Sequence, residues 1–339
     1  MTERTYRDAI REALVEEMDR DEKVLMMGED IGIYEGTFRI TAGMLKKYGP
    51  RRIMDTPIAE AGMVGTAIGM AMLGLRPIVE MMTINFAIVA ADQILNHAAK
   101  IRYFSGGQVD IPMVIRGPQG AGVQLSAQHS QTFESFYGHF PGIHVVVPGT
   151  PADAKGLLKT AIRGRDPVMF LESAALYGMK GEVPEGDAAL VPFGQSRVAR
   201  AGGDVTIVSY GRMLQLSLTV AEALSADEGI EAEVIDLRTL RPLDLKPVFE
   251  SVRKTHRAVV VQEQWKPFGP AAEISAAITE EMFDELDAPV VRVTGEDVPM
   301  PYARNLELLA VPHEKEIIRA IEQVLYRKGE GNGSGSAGW

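Results

Sequence analysis

Residues 60–81 read EAGMVGTAIGMAMLGLRPIVEM. The apolar run within this stretch, from Ala61 to Leu75, is too short to span a membrane and is punctuated by Gly62, Gly65, Gly69 and Gly74. It predicts a buried helix over 60–75 and a short β-like run at 78–81. A glycine inside a helix costs about 1 kcal/mol relative to alanine. Four of them predict a backbone or a ligand in close approach, and Gly65 and Gly69 have the spacing at which two helices can touch.

A helix alternating with short strands is the grammar of a parallel sheet covered by helices. Upstream, Thr5 is placed to cap a helix over 5–19, with Asp8 three residues on and Tyr6, Ala9, Ile10, Ala13, Leu14 and Met18 at helical spacing. A strand at 24–27 follows. Downstream come a helix over 90–103, strands at 112–116, 145–147 and 168–171, and a helix announced by Thr150-Pro151-Ala152-Asp153. Residues 177–202 are rich in Gly, Pro and charge and read as a connection. A second series then begins, with strands at 206–210, 232–237, 258–262 and 290–293 and helices at 213–225, 271–283 and 314–327.

The expected fold is therefore α/β with two domains, each a mainly parallel sheet flanked by helices. The first covers 1–180, a linker 181–202, and the second 203–328; residues 329–339 have the Gly/Ser composition of a flexible tail. A length of 339 residues suits two domains better than one. The 46% hydrophobic and 24% charged fractions are those of an ordinary soluble globular chain.

A formal net charge of −11 argues against binding nucleic acid or an anionic membrane, both of which need basic surface. With no cysteine, disulfides and thiolate metal sites are excluded. The N-terminus passes directly into an acidic amphipathic segment without the apolar core of a signal peptide or an Arg/Ser-rich transit composition, and a cytoplasmic location is expected. No G-x-G-x-x-G follows a strand, and there is no Walker lysine motif and no G-x-S-x-G elbow. The six histidines never fall at metal-ligand spacing on a helix, which disfavours zinc chemistry.

Two segments of the first domain stand out. In Asp55-Thr56-Pro57-Ile58-Ala59-Glu60-Ala61-Gly62, Thr56 and Pro57 suit the N-cap and first helical positions, and Glu60 opens an otherwise apolar helix. A glutamate favoured by the helix dipole is the commoner reason for such a residue, so Glu60 alone decides no function. The second segment, residues 116–131, is a polar, glycine-bearing loop after a strand and carries His129. Open α/β sheets place their ligands on such loops.

These segments, with Met27-Gly28-Glu29-Asp30, Met81-Met82-Thr83-Ile84-Asn85-Phe86, Ser105-Gly106-Gly107-Gln108, Tyr137-Gly138-His139 and residues 293–302, resemble the β subunit of the pyruvate dehydrogenase decarboxylase component. That family is a 2-oxoacid dehydrogenase branch of the transketolase-like thiamin-diphosphate superfamily, and the similarity runs to about Arg327. The resemblance implies that Glu60 hydrogen-bonds the aminopyrimidine ring of thiamin diphosphate and promotes the tautomer that activates the thiazolium carbon. It places Met82 and Phe86 against that ring, with Glu29 and Ile58 beside it. His129 matches the active-site histidine that transfers a proton or orients the intermediate and the incoming lipoamide. Without the family, Met82 and Phe86 would read as ordinary core.

The superfamily's diphosphate-and-magnesium motif, Gly-Asp-Gly followed by Asn-Asn, has no counterpart in the chain. The resemblance therefore implies an α subunit that holds magnesium and the diphosphate, in an α2β2 heterotetramer. It also implies docking onto a lipoyl-bearing acyltransferase core, with Asp287 at the contact. A structural potassium site of mammalian-type relatives maps onto Met113, Ala161, Ile162, Gly164 and Asp166, where Gly164 replaces an acidic residue. Pyruvate is the expected substrate, from Gln128-His129-Ser130-Gln131 and Leu176-Tyr177-Gly178. Acetoin or a branched-chain 2-oxoacid is the alternative within the same chemistry. A non-catalytic assembly subunit is the alternative of another class, and a nucleotide-dependent oxidoreductase is opposed by the missing glycine fingerprint.

Overall fold

The structure, a computed structural model, describes residues 1–327; the expected tail at 329–339 lies outside the described residues. The chain opens with β1 (Thr2–Thr5), α1 (Tyr6–Arg20), β2 (Val24–Gly28), α2 (Met44–Tyr48), β3 (Ile53–Asp55), α3 (Glu60–Met72) and β4 (Arg76–Glu80). It continues with α4 (Ile101–Phe104), β5 (Val114–Gln119), α5 (Glu134–His139), β6 (His144–Val146), α6 (Pro151–Arg163) and β7 (Val168–Ser173). Two short strands follow, β8 (Lys180–Val183) and β9 (Arg197–Arg200). The remainder is β10 (Val205–Ser209), α7 (Gly211–Glu228), β11 (Ala232–Asp236), β12 (Thr239–Arg241), α8 (Lys246–Thr255) and β13 (Ala258–Trp265), then α9 (Pro270–Met282), β14 (Val291–Gly295), α10 (Arg304–Ala310) and α11 (Glu314–Val324).

The first sheet has the order β12-β6-β7-β5-β4-β2-β3 and is parallel except for β12, which pairs antiparallel with β6. The second has the order β14-β13-β10-β11-β9 and is parallel except for β9. Strands buried on both faces read as near-continuous apolar runs, as in the fully buried VLMMG of β2; in the equally buried VTIVS of β10, Thr206 and Ser209 satisfy their hydroxyls internally. The α/β, two-domain expectation thus holds.

On one face of the first sheet, Tyr6, Ile10 and Leu14 of α1 meet Leu157, Leu158 and Ile162 of α6. On the other, Met63, Val64 and Ala67 of α3 belong to a core that continues without a break through Val208, Tyr210 and Ile235 of the second domain. Burying each such side chain contributes about 1.5–3 kcal/mol. The seam between the domains is therefore packed core, and β12, from the second half of the chain, closes the edge of the first sheet.

Several local expectations are corrected. Helix α3 starts at Glu60 as expected, but Thr56 does not cap it: the Thr56 amide donates to the Gly28 carbonyl (3.0 Å) and prolongs the β2–β3 ladder, and Ala59 takes the N-cap position. The helix expected over 90–103 is instead a 3₁₀ turn (Ile84–Ala90), a π turn (Gln93–Ala98) and α4. The widened turn, with the Ala99 amide bonded to the Ile94 carbonyl, leaves the Ala99 carbonyl against Gly142, where a β-carbon would lie 1.9 Å away. The connection at 177–202 contains β8, which pairs with β1, and β9, an edge strand. Charged edge strands carry the same composition as a loop. Helix α8 went unread although Val248, Ser251, Val252 and Thr255 mark its buried face.

Candidate active site

Registers align Gly28 of β2 with Glu80 of β4, and Glu80 with Arg116 of β5. The segments that leave these strands emerge side by side at one C-terminal edge, the usual ligand position of an open α/β sheet. Just beneath the edge, fully buried Arg116 donates to Glu172 of β7 (2.5 and 2.6 Å) and to Glu80. Removing one partner of such a buried network costs about 3–5 kcal/mol. The three strand ends are thereby locked together.

Gly28 lies against the Glu80 carbonyl, where a β-carbon would sit 2.6 Å away, and the next residue, Glu29, turns into the edge. Glu29 is buried, and its Oε1 has no hydrogen-bond partner among the described residues. Burial, and then the charges of Glu60 and Asp30, raise its pKa above the ordinary carboxylate range. Glu60 is buried too, as the first residue of α3, whose N-cap Ala59 offers no side-chain acceptor. As the first helical residue, Glu60 lies in the favourable field of the helix start. Asp55, at the end of β3, accepts from the amides of Gly32 (2.6 Å) and Ile33 (3.0 Å) and folds the loop after β2 beside it.

After β4, Met82 and Phe86 are half-buried. Thr83 donates to the Pro118 carbonyl (3.1 Å) and accepts from the Asn85 side chain (2.7 Å), while Asn85 Oδ1 accepts the Gln131 amide (3.1 Å). Through these bonds the turn is tied to the loop that follows β5. Phe86 and His129 meet edge to face, with ring centroids 5.0 Å apart. Thr83 and Asn85 brace this turn, a role that sequence reasoning missed although both lie in one of its singled-out segments.

The surface around this edge is apolar. Ile58 is 80% exposed, and Ile88 and Val89 of the 3₁₀ turn packed on α3 are also exposed; at the opposite end of α3, next to the start of β4, Leu73 is exposed as well. Gly65 approaches Gln93, but Gly69 has no neighbour within reach of a β-carbon, so the small-residue face of α3 is open. Exposed apolar patches of this kind mark interaction surfaces.

The other predicted residues lie elsewhere. Met113, Ala161, Ile162 and Gly164 gather where β5 and β7 begin and α6 ends, and Arg76 Nη1 donates to the carbonyls of Ile162 (2.9 Å) and Gly164 (2.7 Å). The Met113 carbonyl accepts the Val168 amide (3.0 Å), and Asp166 pairs with Arg102 (2.5 Å). A guanidinium already engages two of the carbonyls carried over for potassium. Asp287 sits at the far end of the second domain, half-exposed and paired with Arg257 (3.0 Å). A cavity of about 1120 Å³ lies between the domains and is lined by Arg102, Gly138, His139, Arg241 and Phe268 among others. None of Glu29, Glu60, Met82, Phe86 and His129 lines it.

Comparisons with known proteins agree with this layout. Residues 2–180 match the family model described as transketolase, pyrimidine binding domain, and residues 194–317 match transketolase, C-terminal domain. Among similar proteins is a pyruvate dehydrogenase E1 component subunit beta of Rhizobium meliloti (strain 1021), 49% identical over 96% of this chain and 71% of that protein. Another is the subunit beta-1, mitochondrial, of Arabidopsis thaliana, 50% identical over 96% of this chain and 90% of that protein. The subunit beta of Rickettsia felis is 49% identical over 95% and 98%. Among solved structures, a split-gene transketolase in an inactive β4 tetramer superposes with a TM-score of 0.77 at 25% identity, covering 96% of this chain and 99% of that one.

Proposed function

The chain belongs to the family of β subunits of the pyruvate dehydrogenase E1 component, and from that membership we propose that it acts with an α subunit in the thiamin-diphosphate-dependent oxidative decarboxylation of pyruvate, with reductive acetylation of lipoyl groups on an acyltransferase. The observation that carries the reading is the arrival of Glu29, Glu60, Phe86 and His129 on one open strand-end edge. The orphaned, buried Oε1 of Glu29 fits a donor such as the amino group of the aminopyrimidine.

When bound, thiamin diphosphate supplies a nucleophilic thiazolium carbon and an electron sink. Glu60 holds a proton against the aminopyrimidine. Met82, Phe86 and Ile58 enclose that ring and exclude water, and Glu29 stands at its amino side. His129, steadied by Phe86, moves a proton or orients the lipoyl arm. The α subunit holds magnesium and the diphosphate, and the open face around α3, Ile58 and Leu73 is where unlike chains meet in an α2β2 heterotetramer. A division at 181–202, a cytoplasmic location and acyltransferase docking near Asp287 belong to the same proposal. Potassium at Met113, Ala161, Ile162, Gly164 and Asp166 would share its carbonyls with Arg76, and no step depends on it.

Calorimetry on the isolated chain and on the reconstituted pair tests the split site. The isolated chain is expected to bind thiamin diphosphate poorly, and the pair to bind it tightly and turn over pyruvate in preference to acetoin and branched-chain 2-oxoacids. Tight, magnesium-dependent binding by the isolated chain would overturn it.

A further inference from the structure

The loop that carries His129 does not hold its shape by itself. Of the seven residues from Gly120 to Ser126, four have positive φ: Gly120 (84°), Gly122 (108°), Gln124 (55°) and Ser126 (67°). For the two that are not glycine this backbone is strained by about 1–3 kcal/mol each. Something outside the loop must compensate.

The compensation comes from the second domain. Glu307, on α10 and 3% exposed, accepts through one oxygen, Oε1, from the amides of both Gly122 (3.0 Å) and Gln124 (3.2 Å). Glu263, on β13, accepts from the Ala121 amide (2.6 Å), and Arg212, on α7, donates to the Ala121 carbonyl (3.1 Å) and faces Glu263 (3.1 Å). Carboxylates that accept backbone amides make charge-assisted bonds, about twice as strong as neutral ones. Positive φ at Gly120 and Gly122 favours glycine, and the approach is close: a β-carbon on Gly120 would lie 2.7 Å from the Glu263 carboxylate, and one on Gly122 would lie 2.8 Å from the Arg212 guanidinium. Ala310 and Val311, at the end of α10, bury themselves against Ala121 and Met300 and hold Glu307 in place. The loop's other end is fixed within the first domain, where the Gly120 amide meets the Gln131 carbonyl (2.9 Å) and Gln131 meets Asn85.

We propose that Glu307, supported by Glu263, is a positioning residue: a carboxylate of the second domain clamps the strained loop of the first and thereby places His129 for transfer to the lipoyl arm. The proposal rests on the role given to His129 above. It assigns the second domain a task at the reaction centre beyond assembly.

The test uses the assembled complex and the variants Glu307→Ala, Glu307→Gln, His129→Ala and the double variant Glu307→Ala/His129→Ala. Amide exchange across 120–131 should quicken in Glu307→Ala. Lipoyl acetylation should fall by roughly 10–100-fold, the scale of a misplaced group, while the affinity for thiamin diphosphate stays within about twofold. Glu307→Gln keeps an oxygen that accepts both amides and should recover most of the rate. Because Glu307 works through His129, the double variant should be no slower than His129→Ala. Unchanged exchange, or a double variant slower by the full single-variant factor, would overturn the clamp. Unaltered lipoyl acetylation in His129→Ala would instead overturn the reading of His129, and the proposal with it.

Discussion

The C-terminal edge of the first sheet has two unlike halves. Where β2, β3 and β4 end, Glu29, Glu60, Met82 and Phe86 stand on an open surface amid exposed Ile58 and Ile88. Where β5, β6 and β7 end, the second domain covers the edge: Glu263, Gln264 and Arg212 bond to residues 121–135, and the Val147 amide to the Arg238 carbonyl. Each half buries a carboxylate with an orphaned oxygen, Glu29 in the open half and Glu134 in the covered one. Burial raises both. The same physics thus gives two different products. In the open half the raised acid faces an exposed surface; in the covered half it is enclosed by the fold, which pushes it up to about 7. The loop bearing His129 starts in the covered half and ends against Phe86 in the open one.

The sharpest way to separate the halves is Glu60→Gln. Glutamine keeps the shape and one acceptor but cannot exchange a proton, so assembly and melting temperature should hold while pyruvate turnover drops by roughly 10²–10⁴. Hydrogen–deuterium exchange at the thiazolium carbon should slow in parallel, since proton removal is the step affected. Turnover and exchange at the unmodified rate would remove Glu60 from the chemistry and leave the open half without its function.

How legible each half was follows from the range of its interactions. The open half is written in consecutive residues: Met27-Gly28-Glu29-Asp30, residues 55–62 and residues 81–86 each follow one strand or open one helix, so the resemblance named its members directly. Even there the cap of α3 differs from the local reading of Thr56 and Pro57, because the bond from Thr56 to Gly28 is a tertiary contact that overrides a local cap. The covered half joins residues far apart in the chain: Glu307 reaches Gly122, and β12 reaches β6. Nothing in the short segment around Glu307 marks it as a clamp. By contrast, α8 had the helical spacing of Val248, Ser251, Val252 and Thr255 and was readable. The π turn at Gln93–Ala98 keeps an apolar face like that of a plain helix and leaves no clear local sign.

A second, smaller effect probes the covered half through pH. Burial pushes Glu134 up to about 7, with the Glu263 charge acting the same way, while the Gln119 side chain bonds its other oxygen (2.8 Å). The folded state therefore keeps a proton between the ordinary carboxylate value near 4.5 and about 7 that the unfolded chain has lost. Stability falls as pH rises through that window, by on the order of 3 kcal/mol once Glu134 is fully ionised. Glu134→Gln mimics the protonated acid and cannot ionise. It should melt higher than the parent at pH 8, with the gain shrinking to nothing near pH 4.5. A gain that is equal at both pH values, or a loss at pH 8, would show that Glu134 is not carried as a buried neutral acid.

The smallest expected effect lies at the end of the second domain that faces away from the seam. Asp287 is fixed by its own amide on the His256 carbonyl (2.9 Å) and by the Tyr326 hydroxyl on its carbonyl (3.0 Å), so its carboxylate is presented at a defined place. That carboxylate pairs with Arg257 but remains about half-exposed. An exposed ion pair contributes about 0–1 kcal/mol, so a basic partner domain can compete for Asp287 at little expense to the fold. Asp287→Ala should then change stability by less than about 0.5 kcal/mol and weaken acyltransferase binding by up to roughly fivefold at low salt. Because a rim charge acts mainly through association rate and screening, the variant's affinity should also depend less on ionic strength than the parent's. Lipoyl acetylation at saturating acyltransferase should stay at the parental rate, since neither half of the catalytic edge is touched. If binding and its salt dependence are unchanged while stability falls, Asp287 serves Arg257 within the chain, and the docking surface must be sought elsewhere on the second domain.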